Sequence, residues 1–359
     1  MGRKLLIWLL LVVVGLPCLS GVRASAAPQG SRPDLDGRLQ EIFRDRAKWL
    51  LTEGTPPPLE ADYLPGSARA KWAIHHERGK IRYVRLWAEG RRVKFVEAEP
   101  SLYIKYLGGD EERARFYVGQ TLALGYVYPG EPAVNKFGVG SRHVLELRRQ
   151  GEKWLVASEW YSDPLGDDTE TPDTLPAGEV ERLPVPAQET ALWRKGYDRR
   201  GAIAYADKYC GLAWGCGNDH RYNTRYRNYT GDGGDCTNFL NQILRDGGGL
   251  RGVPKNLIRV SNMAGFLQGT GRGYLSARGP FQAVWKRAAK DPRGFQSIVG
   301  SADLVAFQLK GKMEHFAVIT GFDTHGYPLV NSHTADRYHV PFDLGWDRKT
   351  IYWFFRVAG

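Results

Sequence analysis

A proline-rich acidic segment divides this chain of 359 residues into two parts. Residues 163–189 contain five prolines and eight acidic residues against a single base, Arg182, and they have no hydrophobic periodicity. Prolines fix φ and remove backbone donors, while like charges repel one another, so we expect an extended and exposed linker. The flanking segments 27–162 and 190–359 are each long enough to bury a core. The sequence therefore predicts two globular domains.

The segment 1–26 has the pattern of a secretory signal peptide. Two bases precede an apolar run from Leu5 to Leu19, and a small-residue cleavage site ends at Ala26. The run is short for a membrane span, so we expect a secreted protein without stable membrane insertion once the signal is removed. Retention of the segment as an uncleaved anchor is the alternative.

The charge balance favours an anionic surface as a partner. The formal net charge is +11, and removing the +3 of the signal and the −7 of the linker leaves +15 on the two domains. A bacterial cell wall would suit this balance. Nucleic acid is not expected, because no basic helix, zinc module or RNA-binding signature accompanies the charge. A solvated basic surface is the simpler alternative.

The first domain has a helical pattern followed by strand patterns. Apolar spacing predicts an amphipathic helix over 35–51, and a shorter helix is expected over 67–77. Strands are expected over 81–87 and 93–98, with a hairpin over 144–160. We therefore predict an α+β fold with N-terminal helices and a curved antiparallel sheet.

No motif in the first domain carries chemistry. The run His75-His76-Glu77 is a poor metal site, because adjacent residues of a helix point in different directions. We interpret this domain as a scaffold or binding module of unknown role.

The second domain contains a cysteine at a predicted helix start. Asp235 is a good N-cap residue, which places Cys236 in the first turn, where backbone amides favour the thiolate. The apolar stripe of this helix consists of Cys236, Phe239, Leu240, Ile243 and Leu244. A cysteine on such a stripe is usually part of the core, so a catalytic interpretation requires a base.

A candidate base and two candidate orienting groups follow on successive short strands. His315 opens one strand, and Asn331 and His333 lie on the next. In an antiparallel pair, His315 shares a face with these two only if the turn around Thr324 has an odd length, three or five residues.

The remaining cysteines fit an oxidising compartment. Cys210 and Cys216 are predicted to form a local disulfide, which leaves Cys236 as the odd thiol. Their spacing lacks the paired CxxC of a zinc site, and no HExxH pattern occurs, so neither a metal nor a cofactor is expected.

These motifs together resemble a known family. The motifs concerned are Gly-Asp-Cys236-Thr-Asn-Phe, the Ala-Tyr-Ala core of residues 200–209, His315 and the strand Asn331-Ser-His333-Thr. Taken together, they resemble the "putative amidase domain" of exported bacterial proteins. That family is similar in fold to papain-like cysteine hydrolases and cell-wall endopeptidases. The resemblance implies that Cys236 is the nucleophile, that His315 is the base and later the acid, and that His333, or else Asn331, orients the imidazole.

The resemblance also implies a function and a location. We expect a secreted, cell-wall-associated cysteine amidase or peptidase that hydrolyses an amide of a cell-wall peptide through a thioester. A non-catalytic wall-binding or structural module is one alternative. An acyl transferase of transpeptidase or transglutaminase type, using the same dyad, is the other.

Overall fold

The computed structural model describes residues 34–52, 58–166, 171–175, 182–184, 193–194, 196–217 and 222–358. The predicted signal peptide and much of the predicted linker lie outside these ranges. Within them, the search for a helix of sufficient length and apolarity to cross a membrane found none.

In the N-terminal half two α-helices precede four strands, and in the C-terminal half helices and strands are mixed before five final strands. The α-helices are α1 (Asp36–Leu51), α2 (Ala68–Arg91), α3 (Arg199–Lys208), α4 (Cys236–Gln242), α5 (Val260–Gly269) and α6 (Phe281–Ala289). The N-terminal strands are β1 (Lys94–Gly109), β2 (Arg113–Val127), β3 (Asn135–Gln150) and β4 (Lys153–Ser162). The later strands are β5 (Trp193–Arg194), β6 (Tyr197–Asp198), β7 (Gly273–Gly279), β8 (Leu304–Leu309), β9 (Lys312–Phe322), β10 (Pro328–Ser332), β11 (Asp336–Pro341) and β12 (Ile351–Val357).

The first helix is confirmed, and the second is longer than predicted. Helix α2 begins after Ser67, whose hydroxyl accepts a backbone N–H of the first turn, and it continues to Arg91. The strand predicted over 81–87 is therefore wrong. Gly79 lies on the open side of the helix and does not end it. The apolar residues beyond it are buried at helical spacing: Ile81, Val84, Trp87 and Ala88.

One antiparallel sheet runs through both halves of the chain. Its strand order is β1-β2-β3-β11-β10-β9-β8-β12-β7, and β4 pairs with the outer part of β3. The halves join where Gly140 of β3 lies opposite Asp336 of β11. The α+β class with a large antiparallel sheet is thus confirmed.

Buried ionic contacts reinforce this junction. The guanidinium of Arg91 donates to Asp343, with Nη2 2.5 Å from Oδ1, and the indole of Trp87 donates to the same carboxylate over 2.9 Å. In the predicted linker, Leu175 and Leu183 are buried in the core beside α6, so the described part of that segment is anchored to the fold at these two residues, while Arg182 and Pro184 are exposed. Apolar side chains within the acidic run bury themselves against the sheet, which outweighs the repulsion between charges.

The two faces of the C-terminal sheet carry different layers. Val305, Phe307, Ala317 and Ile319 belong to the core that contains α6. The alternate residues Leu304, Ala306, Phe316 and Val318 belong to the core that contains α4. This alternation decides which functional side chains can meet.

Candidate functional site

Cys236 is the first residue of α4, as predicted, and it is 6 % exposed. Its sulfur lies 3.8 Å from the hydroxyl of Thr237 and accepts the backbone N–H of Phe316. Burial raises the pKa of the Cys236 thiol, and these hydrogen bonds offset only part of that effect. The resting sulfur is therefore a neutral thiol, contrary to the thiolate expected from the helix terminus.

Cys236 and His315 line one cavity. This cavity has a volume of about 460 Å³ and opens between the start of α4 and the start of β9. Its lining residues are Arg227, Tyr229, Asp232, Gly233, Gly234, Cys236, Ile258, Arg259, Val260, Glu314, His315 and Thr334. The structure thus brings the predicted nucleophile and the predicted base to the same space.

His315 is buried beside aromatic rings. It pairs with Phe307 on β8, and its ring centroid lies 5.8 Å from that of Phe307 and 5.7 Å from that of Trp346. Its Nε2 is buried and forms no hydrogen bond with any of the described residues. Burial, assisted by the charge of Arg337, lowers the pKa of His315 to about 3. The imidazole is therefore neutral at physiological pH.

The register between β9 and β10 separates His315 from Asn331, while His333, predicted on the same strand as Asn331, lies just after the end of β10. The turn between Phe322 and Pro328 contains five residues, the odd length required. A bulge after Leu329 then shifts the register by one residue, so that Asn331 lies opposite Val318. Val318 faces α4, and Asn331 therefore faces α4 as well. Side chains alternate along the regular stretch from His315 to Val318, so His315, three positions away, faces the α6 side.

Asn331 is engaged with other groups. Its Nδ2 donates to Asp207 over 2.9 Å, and its Oδ1 accepts the backbone N–H of His339 over 2.7 Å. Asn331 thus connects α3 to β11 in this structure.

His333 bonds to the residue that precedes the nucleophile. Its Nδ1 donates to Oδ2 of Asp235 over 2.6 Å, and its Nε2 donates to the carbonyl of Tyr209. The ring also stacks on Phe239, with centroids 3.7 Å apart. Both partners are acceptors, so both ring nitrogens are engaged in hydrogen bonds. His333 thus has no nitrogen lone pair available to a thiol proton.

Asp235 is a central residue that the sequence presented only as a helix cap. Its carboxylate makes no capping bond to the helix amides. Its Oδ1 instead accepts the N–H of Tyr229 over 2.9 Å and the side-chain amide of Asn238 over 2.8 Å. Its own N–H donates to Thr334 Oγ1 over 2.6 Å. Asp235 therefore joins the loop before Cys236 to the turn after β10.

Two glycines of β3 admit the loop that contains Cys210 and Cys216. A Cβ on Gly138 would lie 2.1 Å from the carbonyl oxygen of Trp214, and one on Gly140 would lie 2.6 Å from Leu212. Only glycine allows this approach.

The cysteines of this loop are free thiols in the structure, as is Cys236. The thiols of Cys210 and Cys216 are hydrogen-bonded neighbours, and burial raises the pKa of Cys210. The predicted bridge between them is thus not formed here, although the two side chains are adjacent.

One group of possible metal ligands occurs among the described residues. Atoms of His76, Glu77 and Asp163 lie within 4.8 Å of one another. The ammonium of Lys80 lies 2.9 Å from Asp163 and 2.9 Å from Glu77. This lysine already supplies the positive charge that the two carboxylates require.

Comparisons with known proteins concern the C-terminal half. The model of a family described as "Putative amidase domain" matches residues 196–356. A protein of Bacillus subtilis (strain 168), named "Uncharacterized protein YhbB", is 28 % identical over 157 residues, which cover 39 % of this chain and 42 % of that protein. The chain thus spans less than half of this relative's length. No solved structure matches. Residues 196–356 are therefore similar to an amidase-type domain.

Proposed function

We propose that the chain hydrolyses an amide bond with Cys236 as nucleophile and His315 as general base. The single observation that carries this proposal is that both residues line one cavity inside the segment that resembles an amidase domain. A nucleophilic sulfur and an imidazole at one solvent-accessible site are the groups that this chemistry requires.

His315 is a better candidate for the base than His333. His333 donates from both nitrogens, to Asp235 and to Tyr209, and therefore has no free lone pair. His315 is neutral and has a buried nitrogen, Nε2, without a hydrogen-bond partner. A neutral imidazole with an unused nitrogen has the lone pair that a general base needs, and movement of the ring out of its buried position would raise its pKa toward the ordinary value.

The reaction would proceed through a thioester. The Cys236 sulfur attacks the amide carbonyl carbon while its proton passes to His315, and the C–N bond then breaks as His315 returns this proton to the leaving amine. Water next attacks the thioester, which yields a carboxylic acid and restores the thiol. Because His315 faces the α6 side at rest, the proposal requires its ring to turn from Trp346 toward the sulfur when substrate binds.

A peptide amide of a bacterial cell wall is the proposed substrate, and the protein is proposed to be secreted. The predicted signal sequence and the basic surface support this location and substrate. A basic protein is attracted to an acidic polymer, which raises the local concentration of its amide bonds.

Digestion of purified wall peptides tests the proposal. The protein is incubated with soluble wall fragments, and mass spectrometry detects a new amine and a new carboxylate. We expect Cys236→Ala and His315→Ala to abolish product formation, while Cys216→Ala, which removes a thiol outside the cavity, retains it. Product formation by Cys236→Ala at the wild-type rate would exclude this nucleophile. Repeating the digestion with an added amine separates hydrolysis from acyl transfer.

A non-catalytic binding module is the second candidate, and one observation favours it. The thiol of Cys236 is neutral, and the ring of His315 packs against aromatic side chains on the other face of the sheet. If this arrangement persists with substrate, the cavity binds the peptide without cleaving it. Equilibrium binding of wall fragments without product formation would support this candidate.

A further inference from the structure

A second and larger cavity lies outside the amidase-like segment. It has a volume of about 820 Å³ and is formed by α2 and strands β2 to β4. Its lining residues are Arg69, Trp72, Arg113, Arg115, Val144, Leu145, Glu146, Ser158, Glu159, Trp160 and Tyr161. We call it the N-terminal groove. Neither the resemblance nor the proposed hydrolysis assigns it a role.

The sheet register places its key side chains in adjacent rows. Val144 lies directly opposite Trp160, and Glu146 lies opposite Arg115. Directly opposed residues share a face, and Val144 and Glu146 are two positions apart on one strand. Trp160 and Arg115 therefore project from the same face of the sheet.

Two indole rings of this groove are exposed. The exposed fraction is 74 % for Trp72 and 58 % for Trp160. Tryptophans are enriched at binding sites, because a rigid ring offers a large contact area at little cost in conformational entropy.

The groove has an excess of positive charge. Arg113 forms a salt bridge with Glu146 over 2.5 Å, and the carboxylate of Glu159 is buried against Arg46 over 2.7 Å. Arg69 and Arg115 are exposed and form no salt bridge within the described ranges. Two guanidinium groups are therefore available to an anionic ligand.

We infer that the N-terminal groove binds an acidic oligosaccharide. The apolar C–H faces of sugar rings would stack on Trp72 and Trp160, and carboxylates of the sugar would pair with Arg69 and Arg115. An acidic sugar is favoured over an acidic peptide because two wide aromatic faces suit flat rings.

Two residues of the groove, Trp160 and Arg115, project from the same side of the sheet as the nucleophile, whereas α2 packs against the other face. Trp160 lies opposite Val144 and therefore projects from the same face of the sheet. On β3, Val144 shares this face with Gly138 and Gly140. Those glycines contact the loop that leads from α3 toward α4. A ligand held by Trp160 and Arg115 would therefore contact the face that carries Cys236. The binding inference itself does not depend on hydrolysis.

Titration calorimetry with tetragalacturonic acid tests the inference on the full chain at low salt. We expect saturable binding that weakens with added salt. Trp160→Ala and Arg115→Ala should each weaken it about tenfold, because each removes one contact of the type inferred. Tyr274→Ala is the matched control, since this residue is 50 % exposed on β7 at the opposite edge of the sheet. The control and Cys236→Ala should bind as the wild type does, which separates this groove from the cavity of Cys236.

Three results would overturn the inference. The first is the absence of binding, and the second is binding that is unchanged in both groove variants. The third is that poly-glutamate binds as tightly as tetragalacturonic acid and that Trp160→Ala weakens the binding of both ligands to the same extent. The last result would identify a groove for acidic peptides. Circular dichroism of each variant verifies folding, and substitution of exposed residues should leave the spectrum unchanged.

Discussion

The imidazole of His333 donates to the carboxylate of Asp235, the residue directly before Cys236, over 2.6 Å. The pair is almost fully buried, and it fixes the loop before α4 to the turn after β10. The position of the thiol therefore depends on a contact between groups that are far apart in the sequence.

Removal of this carboxylate should destabilise the protein strongly. Asp235→Ala leaves the buried ring N–H of His333 without its acceptor, which typically costs about 1–3 kcal/mol. Urea denaturation followed by circular dichroism measures the loss. Asp291→Ala is the control, because it removes one partner of the exposed pair with Arg293 and should have little effect. A similar stability in both variants would contradict the prediction.

Alkylation of Cys236 should be slow at neutral pH. Burial raises the pKa of its thiol, so the thiolate fraction is smaller than in a free cysteine. Iodoacetamide labelling of a Cys210→Ser, Cys216→Ser variant reports this thiol alone within the described residues. The rate should rise with pH through the alkaline range. Labelling faster than that of a cysteine peptide at pH 7 would contradict the neutral resting thiol.

Acid should destabilise the fold through His315. Its pKa is lowered to about 3 in the folded state, against about 6.5 for an exposed imidazole, so the unfolded state binds more protons between these values. This contribution is complete above pH 6.5 and is lost as the pH falls toward 3. Unfolding free energies measured from pH 7 to pH 4.5 should decline less steeply in His315→Gln. Parallel curves for variant and wild type would refute this role.

The two halves should unfold together. Asp343→Ala breaks the buried pair with Arg91 at the junction, with a typical cost of about 3–5 kcal/mol. The wild type should show one calorimetric transition, because one sheet continues through both halves. Two separate transitions in the wild type would indicate independent domains.

Oxidation should join Cys210 to Cys216. The thiols are adjacent, and closure of this short loop would stabilise the fold by about 2 kcal/mol. Mass spectrometry after treatment with oxidised glutathione should show the loss of two hydrogen atoms. Cys216→Ala should show no such loss and no gain in melting temperature. An oxidised wild type that melts at the reduced temperature would argue against a stabilising bridge.

The sequence alone determined the local elements whose patterns are strong. Periodicity located α1, and the Asp-Cys motif placed Cys236 at the first turn of α4. Short apolar runs located β8, β9 and β10, but the residues of the turn around Thr324 did not decide between a length of three and the observed length of five. Local propensity and hydrophobic spacing suffice for these features, because each depends on neighbours within a few residues.

Only the tertiary structure decided how these elements combine. The bulge after Leu329 places Asn331 and His315 on opposite faces of the sheet, and a bulge depends on packing that no residue pattern displayed. The pairing of β3 with β11 joins the predicted domains, although Gly140 and Asp336 are almost two hundred positions apart. The charge states follow the same logic, because burial sets the pKa of Cys236 and His315, and burial is a property of the whole fold.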